Sequence, residues 1–233
     1  MMVAKSKRVT SIAMVAAAVC IALLIFACNV SFLLSSNHYL YSLGAATATP
    51  QNSRVPVDSE TAASISVDVV SYIRGGSERM QYPAAFTNEE LSHLADVRHK
   101  VALFQASFYF LAAATAVASF IILALVKDLR KFVVVFGQVL FASGAIAVAI
   151  SALFFLLSLD FDASFTVFHK ILFGSSQWQF PSDYLLVNLF TADFFASFAR
   201  AVVVAGFVGG LVLILVSLVM GKFYNPKAAS ISA

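Results

Sequence analysis

Charge is scarce in this chain of 233 residues: Asp, Glu, Lys and Arg make up 12% and hydrophobic residues 61%, against roughly 25% and 45–50% in an ordinary soluble domain. Too little polar surface remains to coat a globule, and disorder would need low hydrophobicity with high net charge. The net charge is only +3, with no basic run long enough to follow a nucleic-acid backbone, so no nucleic-acid partner is expected. Cysteine is limited to Cys20 and Cys28, both inside the first apolar stretch. They read as small packing or lipid-facing residues rather than a disulfide, and no CxxC or Cys/His cluster suggests zinc. A GxSxG elbow, an HExxH pair and a glycine-rich phosphate loop are missing as well. What remains is an integral membrane protein.

Four stretches are long enough to cross a hydrocarbon core, which takes about 20 apolar residues: 9–34, 101–126, 132–157 and 201–220. None holds a charged residue, a histidine or a proline. The first is too long for the apolar core of a signal peptide and reads as a span. Charge sets the orientation. The tail before 9, the link 127–131 and the tail 221–233 carry Lys5, Lys7, Arg8, Lys127, Asp128, Arg130, Lys131, Lys222 and Lys227, a net +7. The long loops 35–100 and 158–200 carry a net −4. The positive-inside rule puts both termini and the short link in the cytoplasm and both loops outside. The expected architecture is all-α: four transmembrane helices under an aromatic-rich extracytoplasmic cap built from the two loops.

Within the first loop, Ile65, Val69, Val70 and Ile73 suit a short amphipathic helix over about 58–74, stopped by Gly75 and Gly76, while the alternation of Ile65, Val67 and Val69 would also suit a strand. Thr87-Asn-Glu-Glu90 is a capping box, starting a helix that continues into the second span. On its first turns Glu90, His93, Asp96 and Lys100 share one face. The second loop holds nine Phe, one Trp and one Tyr. Phe161, Phe165 and Phe168 recur at helical spacing, with His169 four residues after Phe165. A segment this apolar belongs in the headgroup layer or closed over a lipid-sized cavity. Gly206 and Gly210 form a GxxxG in the fourth span, read as packing within the bundle.

Spans free of charge do not suit a proton- or ion-coupled transporter, so any chemistry belongs at the outer surface. His93 and His169, one on each loop, are the candidates, because imidazole exchanges protons near neutral pH. Glu90 and Asp96 flank His93 and could orient it; equally, Glu90 could only close the capping box and Asp96 only pair with Lys100. His38 and His99 lack such company. A metal site of Glu90, His93 and Asp96 with His169 is a further reading, but one ExxH is only half of a di-iron pattern. Neither metal nor cofactor is expected. The residues alone leave open an enzyme, a non-enzymatic membrane protein whose cap binds lipid or a protein partner, and a metal-dependent membrane hydrolase.

Two segments carry a resemblance. Phe86-Thr-Asn-Glu-Glu90-Leu-Ser-His93-Leu-Ala-Asp96-Val-Arg98 resembles the block that precedes the second span in the four-span bacterial membrane proteins that include lipoprotein intramolecular transacylase (Lit). Phe168-His169-Lys-Ile-Leu-Phe173, followed by Trp178, Pro181, Asp183 and Phe194-Phe195, resembles that family's second outer-loop block. Leu94, Arg98 and Thr191 depart from the pattern, Thr191 standing where proline is frequent. The resemblance implies an acyltransferase of the bacterial cell membrane whose partners are diacylglyceryl-modified lipoproteins and membrane lipids. The implied reaction transfers the sn-2 acyl chain to the lipoprotein's own N-terminal cysteine amine, giving a lyso-form product. It also implies two catalytic histidines at the junction of cap and membrane, positions matched by His93 and His169. Here His93 is assigned as general base, oriented by Glu90 or Asp96, and His169 as proton donor, with the reverse open. Phe165, Phe168, Phe173 and Trp178 are expected to line the substrate pocket.

Overall fold

The computed structural model describes residues 2–174 and 178–224, which form eight α-helices and no strand. In chain order these are α1 (Met2–Ser35), α2 (Asn37–Thr47), α3 (Ser59–Ile73), α4 (Asn88–Val126), α5 (Leu129–Leu157), α6 (Phe161–Phe173), α7 (Leu185–Leu189) and α8 (Ala192–Tyr224). Helical segments Lys7–Ser35, Asn88–Val126, Leu129–Phe173 and Ala192–Lys222 are long and apolar enough to cross a membrane. The expected all-helical, four-span class is therefore what the chain adopts. The tail beyond 224, including Lys227, lies outside the described residues.

The chain divides into two compact units. One comprises the chain up to Asn29, Ser107–Phe154 and the chain from Val203. Its core is made of small side chains: Ala13, Ala17 and Ala18 on α1 meet Ala118 and Ile122 on α4 and Val139 on α5. Without a hydrophobic drive between helices in lipid, close packing of small residues holds such a bundle together. The buried stripe Ser143, Gly144, Ala147 and Ser151 of α5 follows the helical period, and Gly210 of α8 packs against Gly144. Ser217 of α8 donates to the Gly137 carbonyl of α5 at 2.7 Å. Val15, Phe120, Leu153 and Leu215 point outward, each more than half exposed, as lipid-facing positions require. Cys20 and Cys28 are unpaired. Lys127, at φ 56°, turns the chain from α4 into α5, whose first turn Asp128 caps by accepting the Lys131 amide at 2.9 Å.

The other unit comprises Val30–Ala106 and Phe155–Val202. The amphipathic helix expected in the first loop is α3: Asp58 caps it through the Thr61 amide at 2.8 Å, and Gly75, at φ 81°, follows its end. Its buried face (Ala62, Ile65, Ser66, Val69, Val70) repeats at three and four residues. Ala62, Ile65 and Val69 pack with Phe86, Leu94, Leu185, Leu186 and Leu189, so one core joins α3, the start of α4 and α7. Burying each large apolar side chain contributes roughly 1.5–3 kcal/mol. The capping box of α4 forms as expected: the Thr87 amide donates to Glu90 Oε2 at 2.7 Å and the Glu90 amide to Thr87 Oγ1 at 3.3 Å. α4 then runs unbroken for 39 residues, about 58 Å at 1.5 Å per residue, well beyond the 30 Å or so of a bilayer core. Thr191 has its own use: its hydroxyl donates to the Thr47 carbonyl and accepts the Phe194 amide, capping α8.

Candidate active site

α6 begins where Asp160 accepts the Ala163 amide and ends at Gly174, which takes the left-handed conformation at φ 67°. His169 lies near its end, buried, with 8% of its surface exposed. Its Nδ1 is 2.9 Å from the Phe165 carbonyl oxygen, one turn back. A carbonyl only accepts, so Nδ1 carries the proton, and the lone pair of the neutral ring sits on Nε2. Aromatic rings enclose this imidazole: Phe165 at 3.9 Å between centroids, Trp178 at 4.9 Å, Phe168 at 5.4 Å and Phe173 at 5.6 Å. Phe195 supports Phe165 from α8 at 5.2 Å.

His93, in the second turn of α4 and before its uncharged stretch, is half-buried against Phe173 at 4.9 Å and Phe180 at 5.4 Å. Phe173 thus touches both imidazoles, and the two histidines belong to one aromatic cluster. Burial pushes the pKa of each below the ordinary 6.5. For His169 the Phe165 hydrogen bond opposes that shift. For His93 the charge of His169 adds to the depression, and the carboxylate of Asp96 opposes it. Since repulsion is mutual, a proton on one ring disfavours a proton on the other.

The supporting residues divide. Glu90 is fully buried. Besides Oε2 on the Thr87 amide, its Oε1 accepts the Leu186 amide at 2.8 Å. Its carboxylate thus holds two backbone N–H groups and ties α4 to α7, and among the described residues it makes no hydrogen bond to His93. Asp96 is exposed and forms no ion pair with Lys100; it acts on His93 through charge alone. Phe165, Phe173 and Trp178 all lie in the cluster, whereas Phe168 meets His169 edge-on with 55% of its surface exposed. His38 and His99 are exposed. Among the described residues no three His, Cys, Asp or Glu side chains are grouped to hold a metal ion, so Glu90, His93, Asp96 and His169 do not converge as ligands.

Two contributors carry no signal in the sequence pattern. Phe180 packs on His93 from a non-helical segment, where no periodicity marks it. Tyr184 stacks on Phe180 and donates its hydroxyl to Glu89 at 2.8 Å, a second tie between this segment and the start of α4.

The family model of lipoprotein intramolecular transacylase Lit matches residues 15–195 of the chain. An uncharacterized protein of Aquifex aeolicus (strain VF5) is 26% identical over 145 residues, which is 62% of this chain, and the chain spans 62% of that relative's length. The in meso structure of the membrane integral lipoprotein intramolecular transacylase Lit from Bacillus cereus superposes with a TM-score of 0.77 at 16% identity, covering 93% of this chain and 97% of the other. A histidine-to-alanine mutant of the Bacillus cereus protein superposes with a TM-score of 0.70 at 16% identity, covering 95% and 98%.

Proposed function

The chain belongs to the lipoprotein intramolecular transacylase Lit family, and from that membership we propose that it is a membrane acyltransferase that makes lyso-form lipoproteins. It moves the sn-2 acyl chain of a diacylglyceryl group onto the N-terminal cysteine amine of the same lipoprotein. Its termini face the cytoplasm and its site the extracytoplasmic side, as the distribution of charge favours.

One observation carries the chemistry: His169 spends its Nδ1 proton on the Phe165 carbonyl, and His93 shares Phe173 with it. This favours the reverse of the assignment first drawn from the sequence. His169, neutral and with its lone pair on Nε2, is the general base. An α-amine with a pKa near 7.7–8.0 must be deprotonated to attack an ester, and Nε2 takes the proton that the nitrogen sheds as its bond to the carbonyl carbon forms. His169 passes that proton to His93, which gives it to the departing oxygen as the carbon–oxygen bond to glycerol breaks. Both rings start and end neutral and hold one proton between them, which fits two rings that resist being charged together. Acid–base help of this kind gives about 10²–10⁴ in rate. Holding amine and ester of one molecule together in a dry aromatic site supplies much of the rest. With both reacting groups on one substrate, no acyl-enzyme intermediate is required.

The test is mass spectrometry of lipoprotein N-termini from cells carrying the wild type, His93→Ala or His169→Ala. Lyso-form lipoprotein should appear with the wild type and vanish with either variant. If no background contains it, the reading fails and a lipid- or partner-binding cap becomes the better description.

A further inference from the structure

The indole nitrogen of Trp178 is buried and, among the described residues, meets no hydrogen-bond acceptor. Among the described residues, two serine hydroxyls share that condition, Ser77 and Ser151. A buried N–H without an acceptor is costly and rare in native proteins. Indole donates and never accepts, so whatever satisfies this group must bring an acceptor with it. The ring lies 4.9 Å from His169 and 6.3 Å from Phe165, centroid to centroid.

Among the described rings that surround His169, the phenylalanines supply no N–H or O–H. His169 has committed its one N–H to Phe165. Two adjacent rings therefore present a lone pair, on His169 Nε2, and an unspent N–H, on Trp178 Nε1. Acyl transfer by direct attack needs that combination: a proton leaves the nucleophile while negative charge develops on the carbonyl oxygen.

We propose that Trp178 is a further catalytic residue, whose Nε1–H donates a hydrogen bond to the carbonyl oxygen of the reacting acyl ester and holds it as an oxyanion. The inference rests on the transacylase reading above and deepens it. As the amine nitrogen bonds to the carbonyl carbon, the π pair moves onto oxygen and the indole N–H stabilises it. The amine proton goes to His169 Nε2. When the pair returns to re-form the carbonyl, the carbon–oxygen bond to glycerol breaks and that oxygen takes the same proton, relayed from His169 through His93. Nothing is oxidised or reduced, and the indole proton never leaves its nitrogen. Indole is well matched to this role because it adds no charge beside two rings whose burial disfavours protonation, and its apolar body helps keep the cluster dry.

The experiment uses the full-length protein in detergent with a synthetic diacylglyceryl lipopeptide, following lyso-form product by mass spectrometry. Two variants are compared with the wild type: Trp178→Phe, and Trp178→benzothienylalanine, in which sulfur replaces the N–H within the same ring outline. The isosteric variant should lose about 10²-fold in kcat with KM nearly unchanged, the scale seen for deleting one oxyanion donor, and Trp178→Phe should lose at least as much. If the isosteric variant retains kcat within about twofold, or only its KM rises, Trp178 is packing and the proposal is overturned. A wild type that makes no lyso-form product overturns the transacylase reading instead, so the two failures are distinguishable.

Discussion

Glu90 accepts the backbone N–H of Leu186 at 2.8 Å, across 96 residues of sequence. The same carboxylate closes the capping box on Thr87, so one buried side chain fixes both the start of α4, which carries His93, and α7, whose segment carries Phe180.

Glu90→Ala removes both acceptors and leaves the Leu186 amide buried and unpaired. The variant should lose about 1–3 kcal/mol of stability, more than Thr87→Ala, which gives up one cap worth about 1 kcal/mol. Unfolding midpoints in detergent check the order, and transacylation should fall in step with them. Loss of turnover in a Glu90→Ala protein as stable as the wild type would instead return Glu90 to a direct role in the chemistry.

The pH profile follows from burial. Both imidazoles bind a proton less readily than the ordinary value of 6.5, so the base stays neutral as pH falls through that point, and the acid limb of kcat/KM should lie below it. Stability has the same sign. The unfolded chain takes up protons first, so the contribution is complete above pH 6.5 and declines as the medium is acidified toward the folded-state values. Phe173→Ala should admit water to both rings, raise their pKa values and move the acid limb up toward 6.5. An unchanged limb in a rate–pH titration would show that Phe173 does not set the desolvation.

How far the sequence reveals this molecule depends on the range of each interaction. The four apolar stretches, the helix at 59–73 and the Thr87–Glu90 box are local and periodic; long apolar helices run through the four stretches, and the helix and the box form. His93 and His169 could be singled out because acid–base groups are few here and each sits beside a span. Which of them holds a free lone pair was not legible, since it depends on the turn of one ring toward a carbonyl four residues back. The second partner of Glu90 is 96 residues away, and no pattern within a helix announces it. Phe180 sits in a segment without a repeat, where a contact with His93 exists only after folding.

Asn188 supplies another tie of that hidden kind. It is buried, its Nδ2 donates to the carbonyls of Ser182 and Tyr184 at 2.8 and 2.7 Å, and its Oδ1 accepts the Thr49 hydroxyl at 3.0 Å. Asn188→Asp keeps the shape but turns an acceptor toward two carbonyl oxygens. Stability should fall by about 1–3 kcal/mol, the cost of buried groups left unpaired, and by less in Thr49→Val. Equal midpoints for Asn188→Asp and the wild type would mean the segment relaxes around the lost bonds.

Gly144 and Gly210 decide how the bundle closes. A Cβ built on Gly144 would meet the Gly210 carbonyl oxygen at 2.5 Å, and one on Gly210 would meet the Gly144 oxygen at 2.8 Å. Backbone cannot swing aside as a side chain can, so Gly144→Ala or Gly210→Ala must push α5 and α8 apart, an overpacking that typically costs about 1–3 kcal/mol. Gly137→Ala is the control on the same helix. Its Cβ would find nothing closer than 3.8 Å, and alanine favours a helix over glycine by about 1 kcal/mol, so that variant should be neutral or slightly stabilised. Unfolding midpoints measured with the mass of the protein–detergent particle separate this from dimerisation. If Gly210→Ala altered the oligomeric mass while the midpoint held, the glycines would serve contacts between chains, whereas packing within the chain requires the midpoint to fall at constant mass.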